Sequence, residues 1–261
     1  MSQEQNNERI VLSLAENDWG RLYLVAGAGA LLALAMMLLD IGLTFAGGDV
    51  EVGRMSAEDW FALYQRDWFM GLRNFGFINV LSLIVSLPLY LALYWLHRKA
   101  YPAFAALALI VYLFGAVIYT SSNRALTMLT LSRQFSEAQS EAQKATLVTA
   151  GAVIVAQAED FTPGTILGFT LTTSGSILMM AAMLGAGVFG KRTALAGLGG
   201  SSSLLVFTII VTFIPSSMGW VMVLALLGGL LMMGWNVAMA LGMFRLGRSL
   251  PKRRSLALQA G

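Results

Sequence analysis

The sequence predicts an all-α, polytopic membrane protein, a bundle of six transmembrane helices with short interfacial helices on its extracytoplasmic side. Six apolar runs, 22–45, 75–96, 102–122, 165–189, 193–214 and 220–244, each reach the roughly 20 mainly apolar residues a spanning helix requires. Apolar residues make up 57% of the chain and charged ones only 12%, a balance with too little polar surface to cover a water-soluble domain. Lys and Arg gather in short turns and a tail directly against the run ends, where anionic headgroups lie.

The first run carries the small residues Ala26 and Ala30 for close helix contact, and Asp40 near its far end. The segment before it, 1–20, is polar and acidic and lacks the basic start, short apolar core and cleavage site of a signal peptide, so the first span is expected to be retained. In the connection 46–70, Ser56-Ala57-Glu58-Asp59 forms a capping box that predicts a short helix. Trp60, Tyr64 and Trp68 then recur every fourth residue. Either they lie in the headgroup plane or they pack on the tops of the spans.

The second run holds Asn79, Ser82 and Ser86 on one helical face and Pro88 mid-span, where a kink is expected, with Ser86 taking up a freed backbone group. His97-Arg98-Lys99-Ala100-Tyr101 joins it tightly to the third run, which forces antiparallel neighbours. The connection 132–164 begins with two Ser-Glu-Ala-Gln units. Its apolar part, 145–156, is too short to span, so it caps the bundle or re-enters it. Thr162-Pro163 is expected to open the fourth helix and Ser217-Met218 the sixth. Gly168, Thr172 and Gly175, Gly197 and Ser201, and Gly228 supply small strips to the last three spans. Hydroxyls of the fourth, among them Thr170, Thr172, Thr173, Ser174 and Ser176, suit either packing or a pore lining.

Six spans place both termini on one side, together with Arg98, Lys99, Lys191, Arg192 and the tail residues Arg245, Arg248, Lys252, Arg253 and Arg254. Positive residues near span ends are retained inside, so both termini are expected in the cytoplasm of a cell whose cytoplasmic membrane holds the chain. One transmembrane domain, 22–244, is expected between a polar N-terminus, 1–21, and a basic tail, 245–261. The lipid bilayer and its anionic cytoplasmic headgroups are the expected partners, with a homo-oligomer or membrane partner as further options. Nucleic acid is not expected, despite a pI of 9.3.

Chemistry is thinly represented. Cysteine is absent and His97 is the single histidine, which leaves no thiolate, no pair of axial haem ligands and no Ser/His pairing at membrane depth. The methionine runs, such as Met179-Met180 with Met183, allow soft copper binding but suit flexible apolar packing better. No metal and no cofactor is expected.

The polar residues that need explaining are Asp40, Arg73, Asn79, Asn123, Arg124 and Asn236. Asp40 is the acidic residue well inside a span, and its cost demands a partner or water. Arg73 and Arg124 occupy matching ends of the second and third spans, Asn79 and Asn236 lie deeper, and Glu159 and Asp160 precede the fourth. They surround an outward polar cavity that binds or moves a small amphipathic or anionic ligand, or Asp40 pairs with Arg73 or Arg124 merely to pin helix ends. An accessory subunit of a membrane complex, or an enzyme using Asp40 and Glu159, are the alternatives.

The tight basic turn after the second span and the stretch Leu129-Thr130-Leu131-Ser132-Arg133-Gln134-Phe135 resemble a prokaryotic family of six-span membrane proteins catalogued as a domain of unknown function. The resemblance covers about residues 20–248. It implies the six-span architecture and adds no activity.

Overall fold

A computed structural model describes residues 3–44, 55–160 and 162–259. Asp49, Glu51 and Arg54 of the first long connection fall outside the described residues. Among those described there are helices and no strand. The helices are α1 Gln3–Leu43, α2 Ala57–Arg66, α3 Trp68–Asn74, α4 Phe77–His97, α5 Pro102–Ser122, α6 Ala125–Glu137, α7 Glu141–Ala158, α8 Ile166–Ala186, α9 Lys191–Phe213 and α10 Met218–Gln259. Six stretches are long and apolar enough to cross a membrane, lying in α1, α4, α5 with α6, α8, α9 and α10. The chain is an integral membrane protein. Helices α1 and α10 run on without a break past positions 21 and 245, where the polar N-terminus and the tail were delimited.

The spans form a ring. Helix α1 packs on α4 and α10, α10 on α9, α9 on α8, α8 on α5, and α5 closes on α4. The tightest seam joins α5 to α8, because glycines let the backbones meet. A Cβ on Gly168 would stand 2.7 Å from the Tyr119 backbone, and one on Gly175 would stand 2.5 Å from the Tyr112 amide nitrogen. Without a hydrophobic drive between helices in lipid, such approach supplies the dispersion contact that holds them. Ala26 and Ala30, as expected, are fully buried in α1.

One end of the ring carries the basic turns; there Trp19 stacks on Trp95 at 3.5 Å and the Arg98 guanidinium lies over the same Trp95 ring. His97, placed in the turn by the sequence, is instead fully buried as the last residue of α4, its Nδ1 against the Leu93 carbonyl at 2.7 Å. The half of the ring nearest this end is filled by Leu89, Leu93, Met179, Met180, Met183, Met239 and Met243. The methionines pack there as apolar filler around Trp235.

The opposite end wears a helical cap made of α2, α3, α6 and α7, with its own core of Trp60, Phe61, Tyr64, Leu72, Phe75 and Met128. The capping box is formed: Ser56 Oγ accepts from the Asp59 amide at 3.1 Å and the Ser56 amide donates to Asp59 Oδ2 at 2.9 Å. The fourfold aromatic stripe is divided, however. Asp67 leaves helical geometry, ends α2 and caps α3 by accepting from the Met70 amide at 3.0 Å. Trp60 and Tyr64 turn inward, the Tyr64 hydroxyl donating to the Ala125 carbonyl at 3.0 Å, while Trp68 is 56% exposed. Packing, the second reading, holds for two of the three rings.

Helix α7 lies against α2 and α6 and therefore caps the bundle. Helix α8 starts at Ile166, later than Thr162-Pro163 suggested, since a turn closed by Thr165 N–H to the Thr162 carbonyl intervenes. Helix α10 opens at Met218 as expected, after a 3-10 turn at Pro215–Ser217. Pro88 sits inside α4, but Ser86 donates to the Ser82 carbonyl at 2.7 Å and not to the group that Pro88 frees at Ile84.

Candidate functional site

Within the ring lies a half-open cavity of about 400 Å³ that reaches from Asp40 and Asn79, near the capped end, to Tyr90, Trp235 and Asn236 at mid-depth. A smaller space of about 170 Å³ adjoins it and shares Met37, Asp40, Asn79 and Ser82. Its wall is two-sided. On α4, Asn79, Ser82, Ser86 and Tyr90 fall at spacings that keep one helical face inward over about 16 Å. Tyr112 and Tyr119 of α5 and Thr172, Thr173 and Ser176 of α8 extend that polar face. Facing it are the apolar Ala33, Met37, Leu204, Phe207, Ala225 and Met232, with Ser201, Thr208 and Asn236 among them.

Of the five α8 hydroxyls named from the sequence, Thr172, Thr173 and Ser176 face the cavity and Thr170 and Ser174 do not line it. Thr172 donates to Gly168 O, Thr173 to Phe169 O and Ser176 to Thr172 O within the helix, while all three line the cavity. Tyr90 and Tyr112 stack at 3.5 Å, and the Tyr90 hydroxyl is hydrogen bonded to Ser176. Thr208 and Trp235 also line the cavity; the Thr208 hydroxyl and the Trp235 indole nitrogen are buried without a partner.

Asp40 pairs with Arg73. Nε of Arg73 donates to Asp40 Oδ1 at 2.7 Å and Nη2 to the Asp40 carbonyl at 2.8 Å, with further bonds to the Thr44 hydroxyl and to Asn74 Oδ1. The guanidinium is buried while the Asp40 side chain keeps 40% of its exposure, so the pair faces the cavity with its acidic member. The other arginine does not join them: Arg124 folds back on the Ser121 carbonyl outside the site. Asn123 is likewise absent from the wall. It donates to Phe75 O at 2.9 Å and accepts from the Ala125 amide at 3.1 Å, which fixes the break between α5 and α6. Asn236 does line the cavity, its amide donating to Met232 O at 3.0 Å. Glu159 is buried and lies outside the cavity wall.

Asp160, which the sequence set among the groups around the cavity without a partner or role, and Tyr119, which it did not single out, complete the arrangement. Asp160 Oδ1 accepts from the Tyr119 hydroxyl at 2.7 Å and Oδ2 from Asn79 Nδ2 at 3.0 Å. The carboxylate rests against the first turn of α4, whose amides favour negative charge. Gly76 makes room for it: its φ of +79° suits glycine, and a Cβ there would come within 2.5 Å of Asp160 Oδ2. Burial pushes the Asp160 carboxyl above the ordinary carboxylate value and Asp40 adds repulsion, against the lowering by the bonds from Tyr119 and Asn79. The i,i+7 spacing of Tyr112 and Tyr119 was a legible signal of one helical face. Among the described residues no group of three or more His, Cys, Asp or Glu side chains is placed to hold a metal ion.

Comparison with protein-family models, with curated proteins and with solved structures found no match to this chain.

Proposed function

We propose that the protein binds, and moves toward or across the membrane, a small amphipathic ligand held in the ring cavity. The observation that supports this is the cavity itself: about 400 Å³, hydroxyl-rich on the α4, α5 and α8 side and mixed on the α9 and α10 side, where Ser201, Thr208 and Asn236 stand among apolar side chains. A wholly structural ring would fill that volume with apolar side chains, as the Met and Leu half of the same ring does. Pockets of this size suit small organic molecules. An anionic ligand is less well served than the sequence suggested, because the two arginines do not converge and Arg73 is committed to Asp40. The basic end is placed in the cytoplasm on the charge rule, which leaves the cap and the site end outside. Membership of the six-span family of unknown function belongs to the same proposal.

The test uses Trp235, which lines the cavity. The neutral nitroxide 4-hydroxy-TEMPO, added to protein in liposomes, is expected to quench its fluorescence saturably. The saturable part should vanish in Trp235→Phe. Quenching that stays linear in nitroxide, and identical in the variant, would refute an accessible cavity.

A further inference from the structure

We propose that the ligand is an organic cation whose ammonium group exchanges with a proton on the Asp160 carboxylate. This rests on the cavity reading above and names the ligand class.

The charge of the lining is one-sided. Among the described residues Asp40 is the charged one on the cavity wall, and no Lys or Arg lines it. Its walls carry Tyr90, Tyr112, Tyr119, Phe169, Phe207 and Trp235, faces that attract a cation once water is excluded. At the site's capped end, Asp160 is held by Tyr119 and Asn79, both of which belong to the wall, so the carboxylate sits one side chain behind it. The Asn79 to Asp160 contact is exposed. The Thr208 hydroxyl, 3% exposed as a residue and without a partner, is a second polar group on this wall whose bonding is incomplete. An occupant with a donor or acceptor on its body would satisfy it.

The groups facing Asp160 favour such an exchange. Asp40 from α1 repels it, Arg73 from α3 is spent on Asp40, Asn79 from α4 and Tyr119 from α5 are neutral donors, and Glu159 beside it is another acid, buried in contacts of its own. A negative charge on Asp160 with no cation beside it is costly here. A proton relieves that cost in the empty site, and an ammonium relieves it in the occupied one. The step balances: the carboxylic acid and the incoming ammonium ion give an ammonium carboxylate pair and one proton released to water. Burial raises the Asp160 carboxyl above its ordinary value, the direction that favours the protonated form.

The experiment compares three nitroxides of one shape and different charge, the cationic 4-amino-TEMPO, the neutral 4-hydroxy-TEMPO and the anionic 4-carboxy-TEMPO, by saturable quenching of Trp235 in the full chain. At pH 8 the cation is expected to bind about tenfold more tightly than the neutral probe, the gain of one charge-assisted hydrogen bond. Its affinity should fall as pH is lowered through the Asp160 titration, since the protonated acid no longer holds it, while that of the neutral probe stays level. In Asp160→Asn the preference should shrink to within about twofold and lose its pH dependence. The wild-type pH series decides the matter even where the variant fails to fold. Equal affinities for cation and neutral probe, or a cation preference unchanged by pH, would overturn the exchange while leaving the cavity reading intact; no saturable quenching by any probe would sink both.

Discussion

Removing either partner of the Asp40 and Arg73 pair tests whether the ring and its cap are locked together by charge. The Arg73 guanidinium is buried and donates to the Asp40 carboxylate and carbonyl, to Thr44 and to Asn74, so it ties the end of α1 to α3. Breaking a closed ion pair costs about 3–5 kcal/mol, whereas a solvated pair is worth about 0–1 kcal/mol. Asp40 keeps 40% of its side-chain exposure and can hydrate when abandoned, which places this pair between the two limits. Arg73→Gln should therefore cost about 2–3 kcal/mol and Asp40→Asn, which retains an acceptor for Nε, about 1–2 kcal/mol. The coupling between them should be about 1–2 kcal/mol. The assay is a double-mutant cycle on reversible unfolding in mixed detergent micelles, with Asp40→Asn combined with Arg124→Gln as the uncoupled control. Coupling below about 0.5 kcal/mol for Arg73, or equal coupling for Arg124, would refute the geometry.

Gly175→Ala should destabilise the bundle by about 1–3 kcal/mol in the same unfolding assay, because its methyl would press on the Tyr112 backbone at 2.5 Å and the α5 and α8 backbones would have to separate. Lipids brominated at the headgroup-proximal carbons should quench a single tryptophan at position 68, which is 56% exposed, and leave one at position 60, which is buried in the cap, unaffected; equal quenching would show that the stripe is not divided at Asp67. Because the chain has no cysteine, a membrane-impermeant maleimide should label Gln143→Cys on the cap in intact cells and Lys191→Cys in a basic turn only after permeabilisation, and the opposite pattern would invert the orientation.

The sequence by itself determined the six spans, because apolar length in lipid is a local property that every run satisfies without its neighbours. It also determined the Ser56 to Asp59 cap, the opening of α10 at Met218 and the shared face of Asn79, Ser82 and Ser86, each fixed by spacing along a single helix. Tertiary structure alone decided which helices adjoin. The choice of Arg73 over Arg124 depends on α3 meeting the end of α1, a contact between residues 33 positions apart. The inward turn of Trp60 and Tyr64 depends on α6 and α7 arriving above them, so an aromatic stripe that looked suited to headgroups became the core of a cap. Asp160 was visible only as an acid before the fourth span. Its place beside Tyr119 and Asn79 follows from α5 and α8 closing to backbone contact at Gly168 and Gly175, and no periodicity within one segment encodes where three separate helices converge.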